Sequence, residues 1–243
     1  MSQAEDQGLR SVPSVLDSPG LRPLFERARC VFFDCDGVIF DSNGFKIDAM
    51  RRALDGHSPA EIGAMEAFWR ANGGVSRFVK FEHFYTHIAP RADVQREMQA
   101  ASERFGRLSL AAYEGARPIA AALELARAAG AERCHVVSGA TQVEMQSVFA
   151  SKDIARFFAS IQGSPRPKLE LVQSVLAERD CPPSEALLIG DGSMDFRVCR
   201  ELDMQFVYLA EYTEWTGAAA ALASAPRATV AQTWAELTRA LLG

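Results

Sequence analysis

The segment Cys30-Val31-Phe32-Phe33-Asp34-Cys35-Asp36-Gly37-Val38 constrains the fold more than any other part of the chain. An apolar run of strand length ends in two carboxylates one residue apart, followed by a glycine. Side chains of a strand alternate between faces, so Asp34 and Asp36 start out on the same side. A continuous apolar run suits a parallel sheet covered on both faces. Open α/β sheets bind ligands at the carboxyl ends of their strands. Two acids held together at such an end repel, and a cation or a shared proton is expected between them.

The stretch after this strand is unusual in length. Ile47, Met50 and Leu54 recur at helical spacing. Ser58-Pro59-Ala60-Glu61 supplies the cap, proline and glutamate of a helix start. Asn72-Gly73-Gly74 breaks that helix, and further helices are expected over about 76–88 and 91–113. No strand is evident from Asn43 to about Tyr113, a stretch of roughly 70 residues that is too long for an ordinary crossover. It reads as a helical insert, 43–114, forming a second small domain over the carboxyl end of the first strand.

Beyond Gly115 strands and helices alternate. Strands are expected at Cys134–Ser138, near Phe157–Ile161, at Ala186–Ile189 and at Gln205–Leu209, with helices between them. The tail from Trp215 is alanine-rich and ends in a helix. The expected organisation is an α/β protein with a Rossmann-like parallel-sheet core, 23–42 and 115–243, and a helical cap inserted after the first strand. Residues 1–22, polar and without periodicity, read as a flexible arm.

Composition narrows the function. With 26 Lys and Arg against 31 Asp and Glu the net charge is −5, which argues against a nucleic-acid binder. A local cation cluster still permits a small anionic ligand. No two of the five cysteines, Cys30, Cys35, Cys134, Cys181 and Cys199, lie in a C-x-x-C spacing, so zinc and thioredoxin-like readings lack support. The first twenty residues contain Pro13 and Pro19 and no apolar core, and no apolar run reaches membrane-spanning length. A soluble cytoplasmic protein is expected, without nucleic-acid or membrane partners.

Polar residues at several strand ends suit one site. The first strand supplies Asp34 and Asp36, the second Ser138 and Gly139, and Gly190-Asp191-Gly192-Ser193-Met194-Asp195 follows the fourth. Lys168 opens the helix after Gly163-Ser164-Pro165-Arg166-Pro167. In a parallel sheet all these ends share one edge. Phosphoryl transfer fits the set. Mg²⁺ takes one or two carboxylates, here Asp34 and Asp191, together with water and phosphate oxygens. A carboxylate nucleophile can form an aspartyl-phosphate. Asp36 would be the second acid that protonates the leaving alkoxide and then deprotonates water. Lys168 and the Ser138 hydroxyl would orient the phosphoryl oxygens, and the adjoining glycines allow close backbone approach. The acid role requires a protonated Asp36, so its pKa is expected to be raised in the substrate complex by neighbouring carboxylates.

Asp34-Cys35-Asp36-Gly37-Val38, Ser138, Lys168 and Gly190-Asp191-x-x-x-Asp195 resemble, in order and spacing, the four signature motifs of the haloacid dehalogenase superfamily. The resemblance implies that Asp34 is the nucleophile and Asp36 the acid/base. It implies Mg²⁺ held by Asp34, the Asp36 backbone carbonyl and Asp191, with Asp195 in support. The helical insert resembles the mobile cap of the phosphoglycolate phosphatase and β-phosphoglucomutase branch. Dehalogenases and phosphonoacetaldehyde hydrolases of the superfamily lack the second aspartate, so Asp36 argues against both, and Lys46 and Lys80 are not expected to form Schiff bases. The mutases commonly carry a histidine soon after the first motif, where this chain has Phe45-Lys46. The expected activity is a Mg²⁺-dependent phosphatase acting on a small phosphorylated metabolite. A phosphosugar mutase and a non-catalytic binding protein with this fold are the alternatives.

In the cap, Arg77 and Lys80 are candidates to hold an anionic substrate tail, against the reading that they are solvated helix charges. His83 and His87 at i, i+4 lack an acid companion and are expected to be no metal site. Phe78, Phe81, Phe84 and Tyr85 read as cap core.

Overall fold

A computed structural model describes residues 8, 9 and 11–243 of the chain. Its strands β1 (Cys30–Phe33), β2 (Cys134–Thr141), β3 (Ser160–Ser164), β4 (Ala186–Gly190), β5 (Gln205–Leu209) and β6 (Ala228–Ala231) form one parallel sheet. Their order is β3-β2-β1-β4-β5-β6. The chain winds outward from β1 through β2 and β3, then crosses to the other side for β4, β5 and β6. The winding therefore reverses at β1, and the crevice for a ligand lies at its carboxyl end.

Helix α1 (Leu21–Arg27) precedes β1. Between β1 and β2 the chain builds the cap from α2 (Asn43–Ala53), α3 (Pro59–Ala71), α4 (Arg77–His83) and α5 (Val94–Gly115). Ser58 and Glu61 form the capping box that starts α3, as the sequence pattern predicts. A π-helical turn at Phe84–Ile88 extends α4. These helices bury a core of their own: Met50, Met65, Trp69, Phe81, Phe84, Tyr85 and Phe105. Three of the four aromatics assigned to the cap core from sequence are there, while Phe78 is only half-buried. His83 stacks on Phe68 with ring centroids 3.7 Å apart.

The remaining helices, α6 (Ala120–Ala129), α7 (Gln142–Ser151), α8 (Lys168–Glu178), α9 (Ser193–Leu202), α10 (Ala218–Leu222) and α11 (Trp234–Leu242), cover the two faces of the sheet. The alternation of β1 divides its side chains between them. Val31 and Phe33 join Leu125, Val136, Phe149 and Leu237 on one face. Cys30 and Phe32 join Val172, Leu188, Phe196 and Phe206 on the other. A phenylalanine removed from water in this way contributes about 1.5–3 kcal/mol, and Phe33→Ala would cost about 3–5 kcal/mol.

Two elements differ from the sequence expectation. The third strand lies at Ser160–Ser164, and Ala155–Phe157 is a 3₁₀ turn. The aromatic pair that suggests a strand instead plugs the core, with Phe158 edge-on to Phe33 at 5.7 Å and to Phe149 at 5.6 Å. The sixth strand, Ala-Thr-Val-Ala, has only four residues, two of them alanines, so its pattern is too short to announce it. Its outer side is not left bare. The Val230 N–H donates to the Pro13 carbonyl at 2.9 Å, and Leu9, Val12 and Val15 are buried. The arm expected over 1–22 thus carries apolar residues that cover a sheet edge, while residues 1–7 and 10 lie outside the described part. Among the described residues no helix is long and apolar enough to cross a membrane.

Candidate active site

Asp34 directly follows β1. Its N–H continues the ladder to the Ile189 carbonyl at 2.9 Å, and its Oδ1 accepts from the Cys35 N–H at 2.7 Å. Asp191 directly follows β4, the neighbouring strand, and Asp195 lies in the first turn of α9. Carboxylate oxygens of Asp34, Asp191 and Asp195 lie within 4.8 Å of one another, all buried. Lys168 opens α8 and bridges two of them, 2.9 Å from Asp34 and 2.6 Å from Asp195. The other Asp195 oxygen accepts from the Gly192 N–H at 3.1 Å. Asp195 is therefore tied on both oxygens, whereas Asp34 and Asp191 face the pocket.

Burial and mutual repulsion dominate the electrostatics of this cluster. Burial pushes the Asp34 carboxyl up, Asp195 and Asp36 add to the rise, and Lys168 only partly opposes it. Asp191 is also raised, by burial and then by Asp34 and Asp195. For Lys168 burial would lower the pKa, but Asp195 and Asp34 outweigh it and hold the ammonium above its ordinary value. One lysine, paired with two of the three clustered acids, leaves the cluster short of positive charge.

The turn after β1 shapes the site. Gly37 has φ +75°, and a Cβ there would lie 2.1 Å from Asp191 Oδ2. Only glycine permits both this conformation and this approach. The chain then folds back, with the Gly37 N–H donating to the Phe40 carbonyl at 2.8 Å.

Asp36 occupies a different environment from the one its motif suggests. Its carboxylate accepts from Ser42 Oγ at 2.5 Å, from the Lys46 ammonium and from the Tyr113 hydroxyl. Burial pushes its pKa up, but Lys46, Ser42 and Tyr113 together bring it below the ordinary carboxylate value. The carboxylate neighbours expected from the sequence are not its immediate partners here, which are a cation and two hydroxyls. Its carboxylate is also not a member of the acid cluster.

Ser138 lies near the carboxyl end of β2, buried, its Oγ accepting from the Ala140 N–H at 3.1 Å. A Cβ on Gly139 would lie 2.5 Å from the Gly74 carbonyl oxygen, so the cap loop rests directly on this strand end. The same loop meets α9: the Met194 N–H donates to the Gly73 carbonyl at 3.2 Å, and Ser193 Oγ to the Ala71 carbonyl at 3.1 Å. Three ion pairs join cap to core, Lys46–Asp36, Arg70–Glu214 and Arg77–Glu144. Between cap and core lies a pocket of about 70 Å³ with Asp34, Asp36, Asp191 and Gly139 on the core side and Lys46, Trp69, Arg77, Lys80 and Phe105 on the cap side.

The two cap candidates take different positions in this enclosure. Arg77 pairs with Glu144 and lies 4.9 Å over the Phe105 ring. The Lys80 ammonium lies 4.2 Å over the Trp69 ring. Both are buried, so neither is a solvated helix charge.

Sequence reading misses several partners. Asn43 Nδ2 donates to Asp191 Oδ2 at 2.7 Å and to the Tyr212 carbonyl at 2.9 Å, fixing the orientation of that carboxylate. Thr213 Oγ1 donates to the Asp191 carbonyl at 2.6 Å. Asn43 belongs to Asp41-Ser42-Asn43-Gly44, whose composition reads as a turn and a helix start. Tyr113 stands at the far end of the cap and carries no local signal for a contact with Asp36.

The cluster fits a small divalent cation. Its donors are hard carboxylate oxygens, they are buried, and their charge is not balanced by Lys168 alone. Asp34 and Asp191 are placed to hold such an ion, with Asp195 behind them.

A parallel sheet, a buried acid–lysine cluster at its switch point and a helical cap together define the class. The chain belongs to the haloacid dehalogenase-like hydrolases, whose family model matches residues 28–203. Among solved structures it is similar to a predicted phosphoglycolate phosphatase from Haemophilus somnus, at 17% identity and a TM-score of 0.69 over 88% of this chain and 97% of that one. A hydrolase from Pseudomonas syringae matches at 16% identity and a TM-score of 0.69, over 87% and 96%. A haloacid dehalogenase-like hydrolase from Streptococcus pneumoniae matches at 17% and 0.65, over 88% and 98%. At these identities the likeness is one of fold. No curated protein matches the sequence significantly.

Proposed function

We propose that this hydrolase is a Mg²⁺-dependent phosphatase that cleaves a small phosphomonoester through an aspartyl-phosphate. The observation that carries this reading is the meeting of Asp34, Asp191 and Asp195 with Lys168 at the sheet edge, where Asp34 and Asp191 line the pocket under the cap. Asp34 attacks phosphorus, and the bond from phosphorus to the leaving oxygen breaks. Asp36, which must take up a proton from solvent before the cap closes, gives that oxygen its proton. Asp36, now ionised, takes a proton from water, which attacks phosphorus and frees Asp34 and inorganic phosphate. Lys168 and Ser138, with the Gly139 backbone, hold the phosphoryl oxygens. Mg²⁺, held by Asp34, Asp191 and the Asp36 backbone carbonyl, would neutralise charge developing on those oxygens. The cap excludes bulk water, which strengthens each of these interactions.

The small cavity favours a short leaving group. One structurally similar protein is described as a predicted phosphoglycolate phosphatase, so 2-phosphoglycolate belongs first on a substrate panel. Purified protein with Mg²⁺ should release inorganic phosphate from at least one short phosphomonoester. Asp34→Asn should release it at least about a thousandfold more slowly. No release from any compound, or equal release by the variant, would overturn the reading.

A further inference from the structure

The cations around the pocket are not equivalent. Lys168 is held by Asp34 and Asp195, Lys46 by Asp36, Arg77 by Glu144, and Arg70 by Glu66 and Glu214. Lys80 differs. It is 4% exposed, it lines the pocket, and among the described residues no carboxylate or other acceptor is paired with its ammonium. Its contact is the face of Trp69 at 4.2 Å. A cation–π contact of this kind is worth about 2 kcal/mol when desolvated, less than a buried ammonium loses on leaving water. An amine placed in this way is incompletely satisfied until an anion enters.

We propose that Lys80 reads a carboxylate on the leaving group, which makes the enzyme selective for short phosphorylated hydroxy acids over uncharged alkyl phosphates. This inference rests on the phosphatase reading above and names its substrate class. Three observations carry it. Lys80 sits on the cap wall, whereas Asp34 and Asp191 of the cluster that would take the phosphoryl group lie on the core wall. The pocket of about 70 Å³ between the two walls suits a short linking carbon chain. One unpaired ammonium matches one negative charge. A second phosphoryl group would need further free cations, and Lys46, Arg70 and Arg77 are already paired.

The electrostatics agree. Burial and the neighbouring Lys46 push the Lys80 amine down to about 7, while Asp36, Asp34 and Asp191 pull it back only in part. A substrate carboxylate at this position would restore its charge. The structure also separates the two cap residues that sequence pairs together: Arg77 is bound to Glu144 and joins cap to core, and Lys80 is left to meet the ligand.

Binding is best read without turnover. In the Asp34→Asn protein with Mg²⁺, calorimetric titration with 2-phosphoglycolate and with 2-hydroxyethyl phosphate compares leaving groups of similar size that differ in charge. A preference of at least tenfold for 2-phosphoglycolate is expected, falling to less than threefold when Lys80→Met is added and kept by Lys80→Arg. Equal affinity for the two compounds, a preference that survives Lys80→Met, or no binding of either would overturn the proposal. If Lys80→Met does not fold, the comparison of the two ligands in the parent protein still decides. Phosphate release by the wild type from either compound is scored separately. Its absence would count against the phosphatase reading and leave the binding result to judge Lys80.

Discussion

Lys46 of the cap holds Asp36 of the core in a buried ion pair, and Tyr113 from the opposite end of the cap closes on the same carboxylate. The pair helps to hold the Asp36 carboxyl below its ordinary pKa. To protonate a leaving oxygen, Asp36 must first take up a proton against the pull of Lys46. Asp36→Asn should therefore slow cleavage of alkyl phosphates by about 10²–10⁴-fold. The loss should be at least tenfold smaller for p-nitrophenyl phosphate, whose phenolate leaves without a proton. Steady-state kinetics on both substrates would check this, and an equal loss on both would remove the acid role.

The Arg77–Glu144 pair joins α4 to α7, with side chains 4% and 16% exposed. Removing one partner of a buried pair leaves the other charge uncompensated and typically costs about 3 kcal/mol or more. Arg77→Met should lower the unfolding free energy by about 3 kcal/mol. The double variant with Glu144→Met should recover part of the loss, since it leaves neither charge alone. Urea denaturation of the four proteins of the cycle gives the coupling directly.

Gly37 is needed for two reasons that act together, its φ of +75° and the 2.1 Å that would separate a Cβ from Asp191 Oδ2. Gly37→Ala should destabilise the fold by about 1–3 kcal/mol. It should also displace Asp191 and raise the Mg²⁺ concentration needed for half-maximal thermal stabilisation. Melting curves across a Mg²⁺ series would separate the two effects. A variant with wild-type melting behaviour throughout would contradict the geometry.

His135 on β2 is buried, with Nδ1 2.9 Å from Ser160 Oγ and no partner for Nε2. Burial pushes its pKa down to about 4 from an ordinary 6.5. Between those values the unfolded chain binds the proton and the native protein does not, so stability is present above 6.5 and is lost as pH falls toward 4. The loss from this residue is at most about 3 kcal/mol. His135→Gln should flatten the pH dependence of the urea midpoint over that window, and an unchanged slope would show that other groups set it.

The chain announces the residues of its site more clearly than their environment. Asp34, Asp191 and Lys168 were legible because each stands where a strand ends or a helix begins, and a parallel sheet brings those ends to one edge. Asp36 was legible as a residue but not in its surroundings, because Ser42, Lys46 and Tyr113 reach it only once the cap has folded back. The pairing of Arg77 with Glu144, and of Arg70 with Glu214, likewise spans elements far apart in sequence. The sixth strand escaped notice because two of its four residues are alanines, and its identity comes from the partner it pairs with rather than from its own pattern.

The acid cluster gives the last prediction. Burial raises the pKa values of both Asp34 and Asp191, with Asp195 and Asp36 adding to the first and Asp34 and Asp195 to the second. Where a folded carboxyl lies above its unfolded value, the native protein binds more protons across the interval. Without Mg²⁺ the stability should therefore fall as pH rises from the ordinary carboxylate range through the raised values. Mg²⁺ supplies the missing countercharge, so it should raise the melting temperature at pH 7.5 and reverse that slope. Asp191→Asn removes one repelling charge while keeping the shape. Its metal-free form should be more stable than the metal-free wild type, and it should gain little from Mg²⁺. Thermal melts with EDTA and with Mg²⁺, run from pH 5 to 8 on both proteins, would check each part. A wild type indifferent to Mg²⁺ at every pH would mean that Lys168 alone balances the cluster.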